Sequence, residues 1–333
     1  MKSLSKPKVL ITEPYFLIQE VVQGELLREL ESLSELKFVL PRTEAEMLEL
    51  VKDARAIVQG NFPLTRKIID TTENLRLIAK AGIGYDDIDV AAATDKKILV
   101  TNVPRVLSDA VAEHAMLLML AVSRRLLLAH KLARTGAWGE FFTQRPMDDL
   151  EGKTLGLVGL GAIGYAVGRR AKAFGMKILF FDPYVDRKKA EELEARQTDL
   201  GELLRESDVI SLHTPLTNET KSLIGKREFD LMKKSAILIN TARGAVVDET
   251  SLINALRSGS IAGAGLDVMT MEPPEATNSL LSMDNVVVTP HCASFTLQGA
   301  KRLWLACADA VIRVLRGELP QPPANILNRE AIQ

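Results

Sequence analysis

The chain has 333 residues, and its 42 Lys and Arg against 43 Asp and Glu leave a formal charge of −1 at pH 7. That balance, spread along the chain, argues against a nucleic-acid footprint or a polybasic membrane patch, so neither partner is expected. Hydrophobic residues make up 47%, an ordinary globular share, and the two cysteines, Cys292 and Cys307, are too few for a disulfide framework or a metal cluster, so no metal is expected.

The opening residues, MKSLSKPKVLITEPYF, lack the long apolar segment of a signal peptide. The richest apolar run, AMLLMLAVS from Ala115, is too short to span a bilayer, and a cytoplasmic protein is expected. KVLIT (8–12), KFVL (37–40), AIVQ (56–59), RLIAKA (76–81) and ILVTN (98–102) read as strands with helical stretches between them, one opened by a capping box at Thr43–Glu46. Strands this apolar, separated by helices, predict a parallel sheet covered on both faces. Residues 108–134 then read as one long helix with Ser108 as N-cap and Gly136 just past its end. Its stripe of Val111, Met116, Leu118, Leu120 and Leu126 is too apolar for a solvated linker, which predicts an interdomain helix that also joins subunits in a homodimer. A second series of strands follows: TLGLVG (154–159), MKILFFD (176–182), DVISLH (208–213), AILIN (236–240), IAGAGLD (261–267) and NVVVTP (285–290). A last helix, about 297–317, leads to the proline-rich PQPPANILN. The fold class is α/β, with two parallel-sheet units in one chain.

Within the second series, Gly159, Gly161 and Gly164 form G-x-G-x-x-G between a predicted strand and a predicted helix. In that setting the first glycine makes the turn, the second lets backbone approach a pyrophosphate, and the third lets helix pack on strand. The helix start offers free N–H groups to the phosphates. The next strand ends at Asp182, where a carboxylate would bind ribose hydroxyls and repel a further phosphate, so NAD is expected over NADP. Arg187, Lys188 and Lys189 just beyond it leave room for some NADP tolerance.

Polar groups then appear where later strands finish. Arg243 follows Asn240-Thr241-Ala242, Asp267 ends a strand with Glu272 shortly after it, and His291 follows Thr289-Pro290. Ligands of an open α/β sheet sit beyond the carboxyl ends of its strands, so these groups point to where a nicotinamide would lie. A histidine there can give a carbonyl its proton, a carboxylate can hold and charge the imidazole, and an arginine can hold a substrate anion.

Taken together these stretches resemble the D-isomer-specific 2-hydroxyacid dehydrogenases, a family of NAD-dependent oxidoreductases. The resemblance covers nearly the whole chain and rests on KAGIGYDDIDV (80–90), TNVPRVLSDAVAEHAMLLMLAVSRR (101–125), GKTLGLVGLGAIG (152–164), HTPLTNET (213–220), INTARGAVVDE (239–249), GLDVMTMEPP (265–274) and TPHCAS (289–294). It implies interconversion of a 2-keto acid and a D-2-hydroxy acid, with Arg243, Glu272 and His291 as the catalytic set. It further implies that the Gly82-Ile83-Gly84 backbone and Arg243 receive the substrate. Gly159, Gly161, Ala162, Ile163, Gly164, Asp182, Thr214, Pro215, Thr220, Thr241, Ala242, Asp267 and Ser294 would contact NAD. It implies a flavodoxin-like substrate domain from residues 1–102 and 300–333, with a Rossmann-type NAD-binding domain, 103–299, inserted into it. His213 would be a packing or rim residue, and His114 and His130 structural.

Departures bear on the substrate. Arg105 follows the Asn102-Val103-Pro104 turn where many relatives carry glycine, Ile83 replaces the lysine of phosphite-oxidising relatives, and Phe141-Phe142 offer a pocket wall. With no regulatory domain after the terminal helix, the long, serine-sensitive phosphoglycerate dehydrogenases are not expected. A reading of a different class stays open: an NAD(H)-sensing binding protein, like the corepressors that share this scaffold and keep the same three polar residues.

Overall fold

The computed structural model describes residues 6–143, 146–185 and 187–332, and the chain divides after Leu107 and again after Ser294 into two units. In the first unit, β1 (Lys8–Ile11) is apolar after Lys8 because both its faces are covered: Val9 and Ile11 enter one core cluster and Leu10 the other. β2 (Glu35–Phe38), β3 (Ala54–Gln59), β4 (Leu77–Lys80) and β5 (Leu99–Asn102) follow, all parallel. Thr43 caps the helix Glu44–Val51 by accepting from the Glu46 N–H at 3.2 Å. The return bond of the expected box lands one residue earlier, since the Glu46 carboxylate accepts from the Arg42 N–H.

The second unit holds β6 (Thr154–Val158), β7 (Lys177–Phe181), β8 (Arg196–Gln197), β9 (Val209–Leu212), β10 (Ile237–Asn240), β11 (Gly263–Leu266) and β12 (Val286–Val288), again parallel throughout. Their order is β12-β11-β10-β9-β6-β7-β8, so the chain leaves β6 in one direction and returns on its other side with β9. The loops after β6 and β9 therefore diverge at the carboxyl edge, the switch point where such sheets bind ligands. β13 (Asn325–Ile326), in the proline-rich tail, returns to the first unit and pairs antiparallel with β5. That completes the order β13-β5-β4-β3-β1-β2, the flavodoxin-like arrangement with one added edge strand.

The stretch expected as one helix over 108–134 is two. The first is Ser108–Ser123 and the second Leu126–Arg134, and Arg125 between them takes a left-handed φ of 43°, which breaks the hydrogen-bond ladder. The helices part because their surroundings differ. A Cβ on Gly265 would lie 2.9 Å from the Leu118 Cβ, and one on Gly263 2.9 Å from Val122, so β11 is glycine-rich where the first helix lies on it. The second helix has no buried residue. Met116 and Leu118, expected at a subunit contact, belong to the second unit's own core, Leu120 packs against that core, Val111 is buried, and only Leu126 is exposed. Ser108 is the first residue of the helix, and its buried Oγ has no hydrogen-bond partner, so it is not a side-chain cap.

Candidate active site

The turn after β6 shows why three glycines stand there. Gly159 has φ 97°, and a Cβ on it would lie 2.7 Å from the His213 carbonyl oxygen, where the chain leaves β9. A Cβ on Gly164 would lie 2.1 Å from the Gly159 carbonyl oxygen, so only glycine lets the helix Ala162–Ala173 begin so close to the strand. Gly161 meets nothing within 4 Å and opens to free space. Asp182, just past β7, braces this turn: its carboxylate accepts from the Leu160 N–H at 2.7 Å and the Tyr184 N–H at 2.8 Å. After β9, Thr220 Oγ1 donates to the Pro215 carbonyl at 2.6 Å and folds the loop that starts at Thr214. After β10, Thr241 Oγ1 is buried without a partner. An open second glycine, free N–H groups at a helix start and an orphaned hydroxyl are features that a dinucleotide fits.

Asn240, fully buried at the end of β10, shapes the next loop. Its Oδ1 accepts from the Ala242 N–H and its Nδ2 donates to the Arg243 carbonyl, at 3.0 and 2.9 Å. A Cβ on Gly244 would lie 2.0 Å from the Met269 carbonyl carbon, so the Arg243 loop passes directly against the segment that leads to Glu272. Glu272 is held there by the Met269 N–H, 2.9 Å from Oε1, and its Oε2 meets His291 Nδ1 at 2.7 Å. Burial alone would raise the Glu272 carboxyl, but the His291 bond and charge, the Met269 N–H and the Arg243 charge together hold it below the usual carboxylate range. Arg243, Glu272 and His291, distant in sequence, thus share one electrostatic site at the ends of β10, β11 and β12. The Arg243 guanidinium also donates to the Ala242 carbonyl at 2.8 Å.

His291 stands at φ 52°, a left-handed conformation that costs a non-glycine residue on the order of 1–3 kcal/mol. Asp267 supports it. The His291 N–H donates to the Asp267 carbonyl at 2.8 Å, and the buried Asp267 carboxylate accepts from Thr289 Oγ1 at 2.6 Å, the Cys292 N–H at 2.9 Å and the Ala293 N–H at 2.8 Å. Asp267 was expected at the cofactor, and here both its carboxylate oxygens bond the histidine loop. His114, expected to be structural packing, also reaches this network, with Nε2 2.9 Å from Thr289 Oγ1 and 3.4 Å from Asp267 Oδ1. Sequence reading missed Asn240, Gly244, Thr289 and this role of His114. The available signal was a polar or small residue at the end of a strand beside each expected catalytic group. The donor atoms of His114, Asp267 and Cys292 lie within 4.8 Å of one another, a spacing open to a metal, but the Asp267 oxygens are already bonded to the loop.

Other expected residues have surroundings of their own. Gly82, Ile83 and Gly84 belong to the first unit, past the end of β4, where the Gly82 carbonyl accepts from the Val103 N–H and the Ile83 carbonyl from Asn102 Nδ2. Arg105 is exposed in the same unit. Phe141 and Phe142 meet edge to face at 6.0 Å, and Phe142 is largely exposed. His130 is exposed, and His213 pairs with Ser211 Oγ at 2.9 Å.

A model of the family described as D-isomer specific 2-hydroxyacid dehydrogenase, NAD binding domain, matches residues 116–293. The chain belongs to this family. It is 41% identical over 323 residues to a D-3-phosphoglycerate dehydrogenase of Methanocaldococcus jannaschii, covering 96% of this chain and 60% of that one. The chain therefore spans about 60% of that relative's length. A glyoxylate reductase of Korarchaeum cryptofilum is 41% identical over 296 residues, 88% of each chain. The solved structure of D-lactate dehydrogenase from Aquifex aeolicus, complexed with NAD and lactic acid, superposes with a TM-score of 0.84 at 31% identity, covering 96% of this chain and 99% of that one. As a member of the family, the chain is an NAD-dependent oxidoreductase that interconverts 2-keto and 2-hydroxy acids. The NAD-sensing alternative is not favoured by relatives that bear the names of enzymes. Among the described residues no helix is long and apolar enough to cross a membrane.

Proposed function

We propose that this dehydrogenase reduces a small 2-keto acid to the D-2-hydroxy acid at the ends of β10, β11 and β12, with His291 as proton donor. The observation that carries this reading is the 2.7 Å contact between His291 Nδ1 and Glu272 Oε2. It commits one ring nitrogen to a carboxylate and leaves Nε2 for the substrate. Bound NADH supplies the hydride that turns the carbonyl oxygen negative. His291 gives that oxygen its proton from Nε2, while Glu272 holds the ring and balances its charge. Arg243 grips the substrate anion with a fixed guanidinium fork and polarises the carbonyl.

In this reading the helix start at Gly159, Gly161, Ala162, Ile163 and Gly164 receives the pyrophosphate and Asp182 the ribose hydroxyls. Thr214, Pro215, Thr220, Thr241, Ala242, Asp267 and Ser294 complete the NAD contacts, and the Gly82-Ile83-Gly84 backbone receives the substrate carboxylate. Residues 1–102 and 300–333 then act as the substrate domain and 103–299 as the cofactor domain. The chain works as a cytoplasmic homodimer.

The test is NADH oxidation with glyoxylate, hydroxypyruvate, 3-phosphohydroxypyruvate and pyruvate, by the parent and by His291→Ala. The variant should lose about 10²–10⁴ in turnover while still binding NADH, the usual worth of general acid catalysis. Near-parental turnover by His291→Ala means the proton comes from elsewhere. NADH binding without turnover of any acid by the parent would instead support a sensor.

A further inference from the structure

The helix Ser108–Ser123 lies on β11 with Leu118 against Gly265. His114 stands four residues before Leu118, on the same face of the helix, and so falls over the end of β11 where Asp267 sits. The hydrogen bonds there form a chain. The Thr289 hydroxyl donates its one proton to Asp267 Oδ1 at 2.6 Å. Thr289 Oγ1 must then accept from His114 Nε2 at 2.9 Å, which places a proton on Nε2 whatever the charge of the ring.

We propose that His114 is a positioning residue for the reaction: through the Thr289 hydroxyl it holds Asp267 in the arrangement that presents His291. The proposal rests on His291 as proton donor. Thr289, Cys292 and Ala293 all donate to the Asp267 carboxylate, and the His291 N–H donates to its carbonyl. The left-handed turn at His291 is therefore built around one side chain, and His114, from outside the 267–293 segment, comes within 3.4 Å of it. The next residues after Asp267 lead to the Met269 N–H that holds Glu272. A tilt of Asp267 moves both the imidazole and its partner, and small misplacements of catalytic groups cost rate steeply.

The experiment compares His114→Phe, which fills the space without a donor, His114→Gln, which restores one, and Thr289→Val, which breaks the chain at its centre. Turnover of keto acid and the dissociation constant for NADH are measured for each, with His291→Ala alongside. His114→Phe and Thr289→Val should each lower kcat about 10- to 100-fold, with NADH binding within about threefold of the parent and His114→Gln within about threefold of parental kcat. The double variant should lose no more than either single one, because the two groups act as a unit. Parental kcat in His114→Phe, equal loss in His114→Phe and His114→Gln, or fully additive losses in the double variant each overturn the proposal. Should His114→Phe fail to fold, Thr289→Val decides by the same criteria. If His291→Ala loses turnover while His114→Phe and Thr289→Val do not, the positioning role alone falls. If His291→Ala keeps turnover, the reading beneath it falls.

Discussion

Four histidines with the same side chain have four different surroundings. Burial pushes the His213 imidazole well below its usual value, which keeps it neutral and unsuited to donate a proton. His130 is exposed on a surface helix, and His114 donates to Thr289. His291 has the Glu272 carboxylate 2.7 Å from one ring nitrogen, in a site that also feels the Arg243 charge. Glu272 stays ionised below the usual carboxylate range, so it keeps its charge across the working pH. Glu272→Gln removes that ionised carboxylate from the ring nitrogen, and the pH profile of keto-acid reduction should change with it. A pH profile of kcat/KM unchanged by that substitution would sink the assigned partnership.

Loops at strand ends bring these side chains together, and two of them make separable predictions. Gly244 lets the Arg243 loop touch the backbone at Met269 and Thr270. Gly244→Ala forces those two segments apart, so it should cost roughly 1–3 kcal/mol of stability and lower kcat/KM about 100-fold. A variant with parental melting temperature and kcat/KM would show that the contact is dispensable. The turn after β7 carries the second prediction. Asp182 accepts from the Leu160 N–H of the glycine turn with one oxygen and from the Tyr184 N–H with the other, and in the proposed cofactor site this carboxylate opposes an added ribose phosphate. NADH should be preferred over NADPH by at least about tenfold in catalytic efficiency, which corresponds to ~1.4 kcal/mol. Equal efficiencies would remove Asp182 from that role.

At the scale of the molecule, acid should loosen the second unit. Burial would raise the Asp208 carboxyl, but Lys233 at 2.9 Å, the Thr154 N–H at 2.9 Å and Lys153 together hold it below its usual value. A carboxylate lowered in the folded state adds stability above its unfolded pKa and loses it as pH falls through the folded one. Melting temperature should therefore fall on the acid side, and Asp208→Asn should melt lower at neutral pH yet converge with the parent in acid. Parallel curves at every pH would contradict this. Assembly belongs to the same scale. The stripe first read as a subunit contact is mostly core, whereas Leu117, Leu126, Leu127, Trp138 and Phe142 are exposed along the helices between 108 and 142. Exposed apolar side chains in one region favour association, and a homodimer at micromolar concentration is expected by light scattering. A monomer mass would refute it.

Local pattern carried much of this protein. Apolar runs marked eleven of the described strands, because strands covered on both faces are largely apolar; the edge strand β2, mostly exposed, was marked only by its overlap with such a run. The glycine turn was legible because each glycine answers a local steric demand. Arg243, Glu272 and His291 were legible as polar groups at strand ends. The two short strands, β8 and β13, were not, because two residues leave no periodicity to read. The break at Arg125 was also hidden, since neither proline nor glycine marks it and the cause is that one helix rests on β11 while the next leaves the core. His114 looked like any helical histidine. Its role depends on which turn of the helix crosses the end of β11, and on a threonine 175 residues away arriving at 2.9 Å. Sequence alone determined most of the elements and the polar side chains at their ends. The tertiary structure decided which of those ends meet, because hydrogen bonds and close backbone approaches act over a few ångströms of space and have no fixed spacing along the chain.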